Sequence, residues 1–286
     1  MHRTRTRLAA VVGVLAVMGV AAACVPPPTP ANESWTFRAT QVTVNDSQDE
    51  VRVFGACANF NCEDEPYTLN IGFRVKIGVP NSAQTVVVNN RTDAPENVGE
   101  GQTVNLTGNA QNAVTWNNVK PLDVVDLFNT NNKLEVFGVY SWASEEDFVG
   151  NGVAADAVAD VLRDALNSTL ATGTLPSDAG LILDLVLDNI FGALGLLAQN
   201  IPLFGLGDDV LGGGLYIGIG AKGQLASIID GTIGSAPPIT FDIPLLDLPP
   251  DIVGGGIFTM GGTKTFTQTY SGAGGQHTYG YQVAKN

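Results

Sequence analysis

The chain has 286 residues, enough for one large domain or two small ones with a real core. Its 28 acidic residues outnumber the 14 basic ones, a net charge of -14, so the basic footprint of a nucleic-acid binder is missing. Hydrophobic residues at 44% and charged residues at 15% exclude a disordered chain, while 34 Gly and 15 Pro promise many turns.

At the N-terminus, Arg3, Arg5 and Arg7 precede an apolar run from Leu8 to Val20, then Ala21, Ala22, Ala23 and Cys24. This is the layout of a secretory signal peptide over residues 1–23. As a membrane span the run is short for about 30 Å of hydrocarbon, and a Pro-rich tract follows it instead of a charged stop. Its removal takes three arginines and no acid, leaving 11 bases against 28 acids.

Cys57 and Cys62, in CANFNC, have a spacing that closes a small disulfide loop in an oxidising compartment. Cys24 is then the odd cysteine of an exported chain, which demands an explanation. Its place directly after three alanines resembles the lipobox of bacterial lipoproteins, whose cysteine is acylated after cleavage. Ala21 departs from that pattern, which usually carries Leu or another larger aliphatic there. The resemblance covers residues 1–24 and implies a lipid anchor at Cys24, on the outer face of a bacterial cell membrane. Residues 24–33, containing VPPPTPAN, then read as a stiff, extended tether. Ordinary cleavage near Ala23, with Cys24 free or removed, is the alternative.

From Ser34 to Asn45, Trp35, Phe37, Ala39, Val42 and Val44 alternate with polar residues, with one slip, which predicts a strand. Similar period-two stretches follow in EVRVFGA, YTLNIGFRVKIGV, QTVNL and KLEVFGVYSW. From Val153 to Leu170, Val158, Val161, Leu162, Ala165 and Leu166 share one helical face, with Asp156, Asp160 and Asp164 opposite. After a break, Ser177 and Asp178 can cap a second helix over about 179–199. That helix is apolar nearly all round, but a membrane span would place Asp184 and Asp188 in hydrocarbon, at about 2.5 to 3.5 kcal/mol each. A helix buried against the sheets is the better reading. GLYIGIG, TKTFTQTY and HTYGYQV complete the strands, whereas VGGGIF and the glycines before Leu215 read as turns, bulges or close sheet packing. The expected fold is therefore mainly β: an antiparallel β-sandwich with an inserted helical hairpin at about 153–199, in a single domain over 34–286.

Residues 46–55 (DSQDEVRVFG) and 129–138 (NTNNKLEVFG) form a weak repeat, and at the same offset Glu63 and Asp64 fall on Glu146 and Asp147. Asp208 and Asp209 make a third acidic pair. If the three pairs converge at one end of the sandwich, they offer the hard oxygen ligands that calcium takes, six to eight at about 2.3 to 2.6 Å. An acidic protein with acidic loops is the bland alternative.

Catalytic residues are scarce. His277 is the only histidine beyond residue 2, which excludes a zinc cluster built on histidines, and its setting suggests a surface or half-buried residue. There is no G-x-S-x-G elbow and no phosphate-binding lysine motif. Trp116, Trp142, Tyr216, Tyr270, Tyr279 and Tyr281 would make a carbohydrate platform only if exposed together; aromatics in such positions are more often core or cross-strand residues. The favoured reading is a lipid-anchored, non-enzymatic envelope module that binds an extracellular ligand. A glycan-active hydrolase using two carboxylates and a membrane-active protein using the hairpin are the alternatives.

Overall fold

Every inward side chain of the first strand is buried, and its one slip in alternation is a β-bulge: the pairing register shifts between Ala39 and Gln41. The computed structural model describes residues 30–47, 52–53, 56–57, 63–145, 152–176, 178–200, 210–235, 252–272 and 274–286. Ala31–Asn286 form one contact unit.

In chain order the strands are β1 (Glu33–Asp46), β2 (Arg52–Val53), β3 (Ala56–Cys57), β4 (Glu63–Asp64), β5 (Pro66–Lys76), β6 (Gln84–Asn89) and β7 (Val98–Gly99). They continue with β8 (Thr103–Asn105), β9 (Val114–Val119), β10 (Glu135–Glu145), β11 (Val210–Ile219), β12 (Ile252–Thr259), β13 (Lys264–Gly272) and β14 (Gly275–Lys285). The helices are α1 (Gly152–Ser168), α2 (Ile182–Asn200) and α3 (Gly223–Ser235), with short 3-10 turns between elements.

An outer sheet has the order β13-β14-β1-β8, with β9 also on β1, and an inner sheet has the order β12-β11-β10-β5-β6. The fold is mainly β and antiparallel, a sandwich with inserted helices. The inner sheet is apolar on both faces, because both faces carry cores. On β10, Phe137, Val139 and Ala143 face the outer sheet, while Val136, Tyr140 and Trp142 face the helices. Burial is therefore continuous along β10.

The hairpin covers the second face of the inner sheet, α1 lying on β5 and β6 and α2 on α1. Ala155, Val158, Leu162, Ala165 and Leu166 are buried, whereas Asp156, Asp160 and Asp164 face water. Asp178 accepts from Gly180 N at 2.9 Å and caps the turn that leads into α2. Asp184 and Asp188 are exposed, and no described helix is long and apolar enough to cross a membrane.

One element departs from the sequence expectation, and one of the open readings of the glycine runs is settled. Helix α3 carries Gly231 and Gly234 and gives little amphipathic signal, yet it connects β11 to β12, whose pairing is parallel. The glycines of β12 belong to a strand: a methyl at Gly255, where φ is +145°, would strike the Leu215 carbonyl. The repeat also diverges in structure. Its second copy enters the middle of the inner sheet, whereas the described part of the first pairs Arg52 with Cys57 and Val53 with Ala56 in a two-residue hairpin.

Candidate functional site

The two ends of the inner sheet differ in chemistry. At one end β5 begins, β10 finishes and β11 begins, with Pro66 opposite Glu145 and Val210 opposite Ser144. Here the buried residues are polar. His277 Nε2 lies 2.7 Å from Asp64 Oδ2, with both side chains buried, and His277 Nδ1 has no hydrogen-bond partner among the described residues. The histidine is therefore a core residue. Its strand, β14, runs between β13 and β1, and the alternation in HTYGYQV puts His277 in the inward row of Tyr279, Tyr281 and Val283. That alternation was the signal for its burial.

Beside this pair the Tyr279 hydroxyl donates to the Tyr67 carbonyl at 3.1 Å. A chain of hydroxyls links Tyr216 to Tyr270 at 3.4 Å, Tyr270 to Tyr281 at 3.1 Å and Tyr281 to Ser141 at 3.4 Å. Burial pushes the phenols of Tyr216, Tyr270, Tyr279 and Tyr281 well up, so they stay neutral and act as hydrogen-bonding struts between the sheets. Trp116 and Trp142 are buried too, so all six aromatics belong to the core, as the commoner reading of their positions expects, and they form no exposed platform. Facing sheets need wide side chains to fill the roughly 10 Å between them.

The acidic pairs are placed only in part. Asp64 turns inward to His277 while its neighbour Glu63 is exposed. Glu146, Asp147, Asp208 and Asp209 lie outside the described residues, as do Cys62 and Cys24, whereas Cys57 ends β3. Among the described residues no three His, Cys, Asp or Glu side chains group to hold a metal ion.

The opposite end of the inner sheet is open. A cavity of about 540 Å³ lies between Ile77 and Gly78 after β5, the 3-10 turn Val124–Phe128, Leu134 before β10, and the link through Leu175 and Pro176 to α2. Among the described residues its walls carry no carboxylate, histidine, cysteine or serine, and Lys133 is their only charged side chain.

One residue fixes this geometry. Asp123 Oδ1 accepts from Val124 N at 2.7 Å, capping the 3-10 turn, and also from Gln224 N at 3.0 Å and Leu225 N at 3.2 Å, capping α3. Asp126 Oδ2 accepts from Asp123 N at 2.9 Å and completes a capping box. Gly223, with φ +55°, lies so close that any methyl there would collide with the Asp123 carboxylate. Phe128, at the end of the turn, is 84% exposed.

Sequence reasoning missed this cavity, although PLDVVDLF holds its signal: a run of large apolar residues divided by two capping acids. Comparison with protein-family models, with curated proteins and with solved structures finds no match for this chain.

Proposed function

We propose that this chain is an exported, lipid-tethered cell-envelope protein of the non-enzymatic binding class, with the apolar cavity beside Phe128 as its ligand site. The observation that carries the reading is the cavity. Its volume of about 540 Å³ falls within the range of small-molecule sites, about 300 to 1,000 Å³, and its wall is apolar with a few polar groups. Its wall includes Ile77, just after β5, and Leu134, just before β10, and its rim is pinned by Asp123. The hydrolase alternative needs two carboxylates about 5 to 9.5 Å apart across a bound sugar, and this cavity supplies neither. The membrane-active alternative needs the apolar faces of the hairpin, and those faces form the core beneath the inner sheet.

The test uses the neutral, apolar dye Nile red. Its fluorescence should rise and saturate at one dye per chain, and Thr174→Trp, which places an indole in the cavity, should abolish the rise. No saturable signal, or one indifferent to Thr174→Trp, rejects the site. The tether is tested separately: Cys24→Ser should release the protein from the membrane fraction.

Calcium ordering of the loops at the other end is a second element of the proposal. The register supports it, since β5, β10 and β11 have neighbouring ends there and each adjoins one acidic pair in sequence. The melting temperature should rise in millimolar calcium, and Asp208→Asn with Asp209→Asn should remove the response. A melting curve indifferent to calcium at constant ionic strength removes this element.

A further inference from the structure

We propose that the cavity takes a single-chain amphiphile with an anionic head group, the apolar chain lying along Ile77, Leu127, Leu134 and Leu175 and the head meeting Lys133. The inference rests on the cavity being the ligand site, and three observations carry it.

The first is charge. The chain holds twice as many acids as bases, yet the cavity wall has no acid and one base. Lys133 is exposed and makes no ion pair among the described residues, so its ammonium is available to a ligand. An ammonium is a compact point charge that suits a carboxylate or a phosphate alike.

The second is the division of the wall. The side chains of Ile77, Val124, Leu127, Leu134, Leu175 and Pro176 carry no hydrogen-bonding atom, so a sugar or polar peptide buried among them would leave its own groups unpaired. The polar side chains of the wall are Thr130, Asn132, Lys133 and Thr174, three of them within four residues of one another. Thr130, Lys133 and Thr174 are exposed, and the Asn132 amide donates to the Asp126 carbonyl at 3.0 Å. A ligand apolar along one part and charged at the other matches this division, and the volume is that of one drug-sized ligand.

The third is the rim. Among the described residues, five large hydrophobic side chains are exposed, and three of them stand on the two 3-10 turns beside the cavity: Val125 and Phe128 on Val124–Phe128, and Leu181 on Ala179–Leu181. Of the three, Phe128 lines the cavity itself, and an exposed ring there extends the surface along which a hydrocarbon chain can lie.

The experiment titrates the full chain, by calorimetry at fixed ionic strength and below micelle-forming concentrations, with decanoate, decanol and decyltrimethylammonium. Decanoate should bind at least tenfold more tightly than decanol, with decyltrimethylammonium the weakest. Lys133→Gln should bring decanoate to the level of decanol while leaving decanol unchanged, and Thr174→Trp should abolish binding of both. Equal affinity for decanoate and decanol, or a Lys133→Gln variant that still prefers decanoate, overturns the anionic head group; if Thr174→Trp still abolishes binding, the cavity reading survives that failure. Absence of binding by all three, or binding unaffected by Thr174→Trp, overturns the cavity reading itself. Circular dichroism of both variants establishes that they are folded, and Thr174 and Lys133 are both exposed positions that a folded chain tolerates.

Discussion

The two ends of the inner sheet solve different problems with the same strands. At the end near Tyr67 the polar groups are sealed inside: His277 on Asp64, and hydroxyls chained from Tyr216 to Ser141. At the end near Ile77 apolar groups are left facing a cavity, with Phe128 out in water. A buried polar group must find a partner or lose its hydration without return, so the first end is rigid and specific. An apolar wall facing open space has no such demand met from within, so the second end is the one with affinity left for a ligand. In this molecule a buried cluster of titratable residues marks structure, and the bland apolar cavity marks the candidate for function.

The largest effect expected is at the sealed end. His277→Ala removes the imidazole hydrogen-bonded to Asp64 and opens a void, and should destabilise the fold by about 3 kcal/mol in urea unfolding, with Nile red binding to the folded chain unchanged. A loss under about 0.5 kcal/mol would break the contrast, because the sealed end would then not be the rigid one.

Asp123→Ala comes next, since a single carboxylate caps both the 3-10 turn and α3. With about 0.5 to 2 kcal/mol for each lost cap, a fall of about 2 kcal/mol is expected, together with weaker dye binding because the rim of the cavity loosens. A loss of stability with binding intact would show that the rim does not depend on the cap.

The third effect is pH-dependent. Burial raises the Glu135 carboxyl above the ordinary glutamate value near 4.5, against the opposing pull of Arg74 and Lys76. Only between the unfolded and the elevated folded value does the folded chain hold more of this proton than the unfolded chain does. Its contribution to stability is fully present below pH 4.5 and disappears as the pH rises through the elevated folded value. Glu135→Gln should flatten that part of the profile of melting temperature against pH, and an unchanged profile would assign the dependence elsewhere.

Phe128→Ser should give the smallest change in stability, within about 0.5 kcal/mol, because the ring is exposed. It should nevertheless weaken dye binding several-fold. If binding is unaffected, the exposed ring is not part of the site.

Much of the fold was legible because alternation is a direct readout of one-sided burial. Trp35, Phe37 and Ala39 announced β1, and Asp156, Asp160 and Asp164 announced the wet face of α1. Two elements were hidden for physical reasons. Helix α3 is partly glycine, and the glycines of β12 left turns, bulges and close sheet packing all open; close packing is the answer, since they let Gln268, Phe266 and the Leu215 backbone come near, a demand set by tertiary neighbours. The cavity was harder to read for a related reason: PLDVVDLF marks one capped apolar turn of its wall, but Ile77, Leu127, Leu134 and Leu175 come from four separate segments, and apolar residues lining a void look the same in sequence as apolar residues filling one. The burial of His277 could have been read from its place in the Tyr279 and Tyr281 row, but its partner Asp64 lies 213 residues away, and sequence carries no sign of that meeting.

The pairing of β1 with β14 sets a schedule. Trp35 is registered against Lys285, so the outer sheet places one of the earliest described strands beside the last. Closing a loop of that length opposes pairing by about 5 kcal/mol of chain entropy before any contact repays it, and β1 waits, half-partnered, until β14 has been made. The outer sheet therefore cannot close until β14 has joined β1, so its completion is governed by the most distant pairing among the described strands.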